Sequence, residues 1–307
     1  MSAEQLQAIL QVAAQNPPPA QPSPAQLRAW FDASNSHMPL APGVQVQPMV
    51  LRTASGTDLP AELLRAPGAD QRRLVMYFHA GGFVFGSLDS HRALCTYLAA
   101  SCGAPVLNVA YRLAPEHPAP TAHDDAWAAW LWALAQGYAP QAVALAGDSA
   151  GGNLALSTAL RAKDAGGPLP AAVVALSPAL DLAGEGDSHR SVVDDPFITP
   201  ELMGFFNAMY LPDGDVRAAT VTPFYRPVAD LQGLPPVQLQ VGGRERLRDD
   251  AVHFADRLQA AGVDAQCTVW DGMVHCWQLF APALDEALAS LAQAGRFIAS
   301  HQRAAPP

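Results

Sequence analysis

A Gly-x-Ser-x-Gly pentapeptide between a strand-like run and a helical pattern is the feature that most constrains the fold of this chain. The apolar residues 142–146 precede residues 147–151, which read Gly-Asp-Ser-Ala-Gly, and small residues with helical spacing follow directly. This order is typical of a nucleophile elbow, a sharp strand-to-helix turn that holds a serine hydroxyl above a sheet. Side chains in place of Gly147 or Gly151 would collide with neighbouring backbone in so tight a turn. The pattern therefore predicts Ser149 as a nucleophile.

A serine nucleophile requires a general base, and the chain offers several histidines after Ser149. His275 follows the strand-like residues 265–270 and lies in a glycine-containing loop. We predict His275 as the base, with a packing histidine as the alternative. Its neighbour Cys276 is interpreted as a packing residue, because adjacent side chains usually point apart. Three further histidines lie in polar or helical segments and are less suited to the role: His189, His253 and His301.

Backbone donors for a developing oxyanion are predicted after an early strand-like run, residues 73–78. The run leads into residues 79–83, which read His-Ala-Gly-Gly-Phe. Consecutive glycines allow backbone N–H groups to approach a substrate oxygen closely. Gly81, Gly82 and the amide of Ala150 are therefore the candidate donors. In isolation, a Gly-Gly turn between a strand and a helix explains the same glycines.

Four ordered motifs resemble those of a known family. They occupy residues 79–83, 111–118, 147–152 and 271–275. Through these motifs the chain resembles the hormone-sensitive-lipase-like family of α/β-hydrolase carboxylesterases, in the subgroup with aspartate before the nucleophile. The segment Gly86–His91 also resembles members described as monoterpene ε-lactone hydrolases. The resemblance implies an α/β-hydrolase fold: a mostly parallel central sheet flanked by helices, with a helical cap.

The oxyanion motif departs from the usual His-Gly-Gly-Gly of the family, because Ala80 replaces its first glycine. The resemblance places the donors at Gly81 and Gly82. The oxyanion hole is therefore expected to persist if Ala80 avoids a positive φ. Asp148, which precedes the nucleophile, is expected to bond loop backbone.

The triad acid is the second departure, since Glu245 stands where the family usually has aspartate, after the strand-like residues 237–241. A glutamate can hold the histidine tautomer and stabilise its charged form as aspartate does. We predict Glu245 as the acid. Asp181 and Asp249 also lie in the permitted chain order and stay open as alternatives. For Asp249 and the adjacent Asp250, capping of the helix that begins there is the simpler interpretation.

Strand-like and helical segments alternate along most of the chain, which indicates a mostly parallel sheet with helices on both faces and an antiparallel edge formed by the first strands. The resemblance assigns the helical patterns in residues 1–43, and an insertion at about 185–225, to a cap. Residues 44–307 then form the catalytic domain.

Five side chains are candidates for substrate contact, although helix packing explains the last four equally well: Phe83, Phe205, Phe206, Met209 and Tyr210.

Composition excludes several other classes of protein. Half of the 307 residues are hydrophobic and 15% are charged, which is typical of a globular domain. A net charge of −10 without a basic cluster disfavours nucleic acid and anionic membranes as partners. No apolar run approaches the roughly 20 residues of a membrane span, and the first residues lack a secretory pattern. Four cysteines without Cys-x-x-Cys spacing indicate reduced thiols and a cytoplasmic location.

Together these patterns predict a serine carboxylesterase that hydrolyses short-acyl, small-molecule esters through a Ser-His-Glu triad, without metal or cofactor. The alternatives are a lactone or amide-type hydrolase with the same triad, and a non-catalytic receptor. Plant gibberellin receptors resemble this family but lack the triad histidine, so His275 argues against a receptor. Residues 117–125 include His117, His123, Asp124 and Asp125, which we interpret as ordering a loop and a helix rather than binding a metal.

Strand 265–270 is predicted to be the last in the sheet. An uncovered edge strand leaves N–H and C=O groups free to pair with another chain. We therefore expect a two-fold homodimer through this strand. The alternative is a monomer in which Gln266 and Thr268 make a polar edge.

Overall fold

The computed structural model describes residues 2–20, 22–54, 56–212 and 214–304. Within them one sheet contains β1 (Gln45–Arg52), β2 (Asp58–Arg65), β3 (Leu74–Phe78), β4 (Val106–Val109), β5 (Val143–Asp148), β6 (Ala172–Leu176), β7 (Val237–Gly242) and β8 (Ala265–Trp270). The helices are α1 (Ser2–Gln15), α2 (Pro24–Asn35), α3 (Leu88–Cys102), α4 (Thr121–Ala135), α5 (Ala150–Asp164), α6 (Ser188–Ser191), α7 (Pro200–Tyr210), α8 (Val228–Leu231), α9 (Arg248–Ala260) and α10 (Asp285–His301).

The sheet order is β1-β2-β4-β3-β5-β6-β7-β8. β2 pairs antiparallel with both β1 and β4, and every other pairing is parallel. This arrangement confirms the predicted α/β-hydrolase sheet with its antiparallel edge. β3, β5, β6 and β7 are buried along their whole length, as expected of parallel strands that are covered on both faces.

Two hydrophobic cores lie on opposite faces of the sheet. Alternate residues of β3 supply them: Met76 and Phe78 belong to the core that includes α4, α5 and α9, while Val75 and Tyr77 belong to the core that includes α3 and α10. This alternation follows from the two-residue period of a strand. The helical layers on both faces hold the central strands rigidly, and the loops at their carboxyl ends carry the candidate site.

The segment between β6 and β7 contains α6 and α7, which lie within the predicted insertion at about 185–225, and α8, which follows it. The apolar spacing of residues 200–210 is typical of a helix, and α7 forms there. The four-residue helices α6 and α8 are too short to produce a readable periodicity, and the sequence pattern missed them. None of the helices among the described residues combines the length and the hydropathy needed to cross a membrane.

Candidate active site

Ser149 lies between the end of β5 and the start of α5, with φ 52° and ψ −117°. Its N–H donates to the carbonyl of Leu176 on the neighbouring strand at 2.8 Å. A Cβ added to Gly147 or Gly151 would lie 2.4 Å or 1.8 Å from backbone atoms, so both positions require glycine. The structure therefore contains the sharp turn that the pentapeptide predicts. A non-glycine residue in this region costs about 1–3 kcal/mol, which the surrounding backbone must offset.

His275 and Glu245 meet in the loops that follow β8 and β7. The Nδ1 atom of His275 lies 2.8 Å from Oε2 of Glu245, and the glutamate side chain is wholly buried. The other carboxylate oxygen, Oε1, accepts a hydrogen bond from the Ser177 hydroxyl at 2.6 Å and one from the Gly242 N–H at 2.5 Å. Both oxygens of the buried carboxylate are therefore occupied, and Oε2 faces the imidazole.

The pKa values of both members of this pair lie above their ordinary values, for different reasons. Burial raises the pKa of Glu245, although the His275, Ser177 and Gly242 hydrogen bonds act in the opposite direction. Burial alone would lower the pKa of His275, but the hydrogen bond and charge of Glu245, helped by Asp195 and Asp148, outweigh it and raise that pKa. His275 therefore binds a proton more readily than an ordinary histidine, which suits a general base.

The alternative acids have other partners. Asp181 accepts hydrogen bonds from four backbone N–H groups of residues 183–186, and from the Tyr225 hydroxyl at 2.7 Å. Asp249 accepts from the N–H of Ser188 at 2.8 Å. Both carboxylates thus anchor the insertion rather than contacting His275.

Asp250 and its neighbours form a buried polar cluster. Asp250 accepts from the N–H groups of Leu180 and Asp181, and its other oxygen lies 2.7 Å from Nε2 of His189. The side-chain capping interpretation of Asp249 and Asp250 is wrong, because α9 has no side-chain cap and both carboxylates bond residues between β6 and β7. Their place in the first turn of α9 still agrees with compensation of the helix dipole. The atoms of Asp181, His189 and Asp250 lie close enough together for a metal ion, but they already hold these hydrogen bonds.

The loop after β3 passes through three consecutive residues with positive φ: Gly81 at 123°, Gly82 at 57° and Phe83 at 64°. Ala80 is not among the residues with positive φ, so it meets the condition set by the sequence. In the described part of the chain, the N–H groups of Gly81 and Gly82 donate to no other protein group. Ala150 is the first residue of α5, where a helix leaves its N–H groups without intrahelical partners. All three candidate donors are therefore available to a ligand.

Asp148 bonds side chains, and the expectation that it bonds loop backbone is wrong. Its carboxylate accepts a hydrogen bond from the Tyr77 hydroxyl at 2.9 Å and lies 3.2 Å from Nε2 of His91. His91 also lies 3.2 Å from the N–H of Ala80. The segment Gly86–His91 thus ties the residue before the nucleophile to the start of the oxyanion loop.

Cys276 does not point away from His275, contrary to the sequence interpretation. Its φ of 51° turns the side chain back, and Sγ lies 3.4 Å from Nε2 of His275. Burial raises the pKa of the Cys276 thiol well above its ordinary value, with the charge of Asp148 acting in the same direction. The thiol therefore stays protonated and is no rival nucleophile.

A small cavity of about 20 Å³ lies beside Ser149. That space is enough for little more than one water molecule. Its walls come from the oxyanion loop, the residues after β6, the insertion and the acid loop: Gly82, Phe83, Ala179, Leu182, Ile198, Met203, Phe206, Asn207 and Leu247. The aromatic ring of Phe206 packs directly against Gly82, where an added Cβ would lie 2.4 Å from it.

Two of the five predicted substrate-contact residues, Phe83 and Phe206, line this cavity, and Phe205, Met209 and Tyr210 do not. Tyr210 instead stacks on Phe83 with ring centroids 4.0 Å apart, and its hydroxyl donates to Nδ1 of His123 at 2.6 Å. Burial lowers the pKa of His123 to about 4, so its imidazole is neutral and accepts this bond.

Sequence reasoning missed Ser177, Leu182 and Met203. Ser177 follows β6 directly, and its place after a central strand is a signal that could have found it. Leu182 and Met203 carry no such signal, because apolar residues of a cap resemble ordinary core residues.

The N-terminal helix α2 packs on the oxyanion loop. Arg28 donates to the carbonyls of Val84 and Ala114 at 2.8 Å and 2.7 Å. The Ser87 hydroxyl donates to Asp32 at 2.6 Å. The helix therefore covers the loop that carries Gly81 and Gly82.

Comparisons with known proteins agree with this geometry. The sequence model of a family with the α/β-hydrolase fold matches residues 75–279. An acetyl-hydrolase of Streptomyces hygroscopicus is 40% identical over 240 residues, which cover 78% of this chain and 79% of that protein. The carboxylesterase/phospholipase LipF of Mycobacterium tuberculosis is 39% identical over 82% of this chain and 69% of its own length. The crystal structure of an esterase from the bacterial hormone-sensitive lipase family superposes with a TM-score of 0.92 at 38% identity, covering 98% of this chain and 99% of that one.

Proposed function

Because the chain belongs to the hormone-sensitive-lipase-like family of bacterial α/β-hydrolase carboxylesterases and is a carboxylic ester hydrolase, we propose that it cleaves short-acyl esters through a triad of Ser149, His275 and Glu245. The observation that carries the proposal is the buried Glu245–His275 pair at 2.8 Å, in loops on the same edge of the sheet as the strained serine. The similarity to proteins named as a carboxylesterase and an esterase, together with the presence of His275, favours an enzyme over a non-catalytic receptor.

The first step is acylation of the serine. Ser149 Oγ attacks the ester carbonyl while Nε2 of His275 takes the hydroxyl proton, and Glu245 holds Nδ1–H and stabilises the imidazolium. Since Nε2 faces the Cys276 thiol in this structure, the proton transfer needs the imidazole to release that contact. The tetrahedral intermediate then collapses, its C–O bond to the alcohol breaks, and His275 returns the proton to the leaving oxygen.

The second step frees the acid. Water attacks the acyl-enzyme with His275 as base, and the Ser149 oxygen leaves with the returned proton. In both steps the N–H groups of Gly81, Gly82 and Ala150 hold the negative oxygen. Each such donor is worth roughly 3 kcal/mol of transition-state stabilisation in acyl transfer. Every group in this scheme comes from the protein, the ester or water, and no cofactor takes part.

Residues 1–43 and the insertion at about 185–225 are proposed as the cap that shapes the substrate pocket; residues 1, 21 and 213 of these ranges lie outside the described residues. Helix α2 contacts the oxyanion loop, and Phe206 on α7 closes over Gly82. The resulting cavity of about 20 Å³ is so small that each added methylene of an acyl chain requires further displacement of its walls, which favours short acyl groups. The similarity to a protein named acetyl-hydrolase supports the same preference.

Turnover of p-nitrophenyl acetate and butyrate is expected to exceed that of the palmitate ester, because a long chain must displace far more of the walls of the cavity beside Ser149 than a short one. Met203→Ala removes a half-buried cavity wall, and it should raise the ratio of kcat/KM for hexanoate over acetate by about 10-fold, the scale of a methylene-sized change in a pocket. Kinetics on the ester series, with ε-caprolactone as the lactone comparison, measure this.

Met209→Ala is the matched control, since Met209 is a half-buried methionine on the same helix that does not line the cavity. Its chain-length profile should equal that of the wild type. Palmitate turnover above that of butyrate in the wild type would reject the short-acyl preference. Equal chain-length profiles for both methionine variants would reject the assignment of Met203 to the acyl pocket.

We also propose a homodimer through β8. The order of the sheet leaves β1 and β8 at its edges, and β1 contains Pro48, which resists pairing with another chain. β8 has no proline, and Val269 on it is 44% exposed. Light scattering at micromolar concentration should give about twice the 32.3 kDa chain mass.

Val269→Asp should reduce the dimer to a monomer by placing a charge in the paired edge. Val193→Asp is its control, because Val193 is an apolar residue, 80% exposed, in the insertion. A wild-type mass near 32.3 kDa would exclude the dimer.

The four cysteines are free thiols, which supports the further proposal of a reducing, cytoplasmic location.

A further inference from the structure

Ser177 occupies a strained and fully buried position directly after β6. Its φ is 44°, in the left-handed region that side chains other than glycine rarely adopt, and its relative exposure is 0%. Its N–H donates to the carbonyl of Gln240 on β7 at 2.6 Å. A strained non-glycine residue persists only where its surroundings hold it, so this position calls for an explanation.

The hydroxyl of Ser177 connects the two loops that carry the acid and the base. It donates to Oε1 of Glu245 at 2.6 Å and accepts a hydrogen bond from the N–H of Cys276 at 3.2 Å. Cys276 follows His275 in the chain. The Ser177 hydroxyl oxygen therefore links the carboxylate of the acid with the backbone beside the base. Ser177 itself follows β6, a strand that carries neither the acid nor the base.

This link matters more for a glutamate than it would for an aspartate. Glutamate has one more rotatable bond, so a larger loss of rotamer freedom accompanies its fixation in one arrangement. Ser177 and the Gly242 N–H both hold Oε1, which leaves Oε2 directed at Nδ1 of His275. A donor to a buried carboxylate also shares its negative charge and so reduces its basicity toward the imidazole.

We propose that Ser177 is a positioning residue of the reaction, whose hydroxyl fixes the Glu245 carboxylate and the backbone after His275 in their working arrangement. This inference rests on the proposed triad. It makes Ser177 a fourth polar member of the site that acts through Glu245 and touches no substrate.

Two variants separate the hydroxyl from the backbone strain. Ser177→Gly and Ser177→Ala both remove the hydroxyl, but only glycine relieves the left-handed conformation. The glycine variant is therefore expected to be the more stable of the two, and it keeps the test open if the alanine variant does not fold. Ser290→Ala is the control: Ser290 is a buried serine on α10 whose hydroxyl bonds Gln240 at 2.6 Å, away from Glu245.

The measurement is kcat, KM and the pH profile of kcat/KM with p-nitrophenyl acetate. Ser177→Gly should lower kcat by about 10- to 100-fold, the size of one hydrogen bond to a charged group, with KM nearly unchanged. The acid limb should move to higher pH, because a carboxylate with one donor fewer binds the His275 proton more strongly. The other charged groups that act on His275, Asp148 and Asp195, are unchanged in this variant. Ser290→Ala should leave both the limb and kcat in place.

A Ser177→Gly enzyme with wild-type kcat and an unmoved acid limb would overturn the inference, and would assign Ser177 a backbone role only. Loss of activity in both Ser177 variants without any shift of the acid limb would also count against the inference. Reduced folding lowers the amount of active enzyme but does not change the pH dependence of the enzyme that remains. Failure of the triad itself looks different, because Ser149→Ala would then keep turnover. An inactive Ser149→Ala beside a wild-type Ser177→Gly would reject only the role of Ser177.

Discussion

Ser149→Ala is expected to reduce kcat for p-nitrophenyl acetate by about 10⁶-fold, the loss seen when serine hydrolases lose their nucleophile. Alanine removes Oγ and keeps the Cβ, so the turn between β5 and α5 holds the same strained backbone. The residue is only 6% exposed, and its backbone bonds to Leu176 and Ala179 do not involve the hydroxyl. The fold should therefore survive, which thermal unfolding and circular dichroism will show.

Ser149→Gly is a useful companion to the alanine variant. It should be equally inactive, but glycine accepts φ 52° without penalty and should raise the Tm above that of Ser149→Ala. The pair separates the chemical role of the hydroxyl from the strain of the elbow. If Ser149→Ala keeps more than a few per cent of wild-type kcat, another residue is the nucleophile.

Much of the fold could be predicted because its signals are local. The strand runs that form β3 and β5 are apolar and lie just before or around the glycines of their motifs, and the helix after Ser149 begins where the pentapeptide places it. The order of strand, loop and helix then fixes which loops share one edge of the sheet. The positions of Ser149, Glu245 and His275 could therefore be proposed without coordinates.

The contacts within the site were less predictable, because they depend on side chains that are far apart in sequence. Cys276 turns back toward His275 because its backbone has a positive φ, which no neighbouring residue indicates. Asp148 reaches Tyr77 and His91 across the sheet rather than nearby backbone. Such choices are decided by packing and burial, and sequence spacing does not carry that information.

The cap was the hardest part for the same reason. Met209 and Met203 lie on one helix with similar surroundings in the sequence, yet only Met203 lines the cavity. Tyr210 was a candidate for substrate contact, but its hydroxyl bonds the neutral imidazole of His123 instead. A helical pattern predicts an apolar face and does not say what that face covers.

Glu245→Gln is expected to lower kcat by about 10⁴-fold, as the corresponding acid-to-amide change does in a Ser-His-Asp triad. The structure supplies the reason. Ser177 and the Gly242 N–H both donate to Oε1, so the amide oxygen of glutamine takes that place. The amide NH₂ group then faces Nδ1 of His275, which must accept instead of donate. The imidazole is held with its proton on Nε2, and in that tautomer it cannot take the proton of Ser149.

The pH profile gives this prediction a second readout. In the wild type, Glu245 raises the pKa of His275. Because His275 must be neutral to act as the base, kcat/KM should fall as the pH decreases. The midpoint of this acid limb should lie above the ordinary histidine pKa of about 6.5. Glu245→Gln removes that charge, so its residual activity should persist to lower pH, opposite to the shift expected for Ser177→Gly. Asp249→Asn is the matched control, because the amide oxygen can still accept from Ser188. Near-wild-type activity in Glu245→Gln, with a large loss in Asp249→Asn or Asp181→Asn, would transfer the acid role to that aspartate.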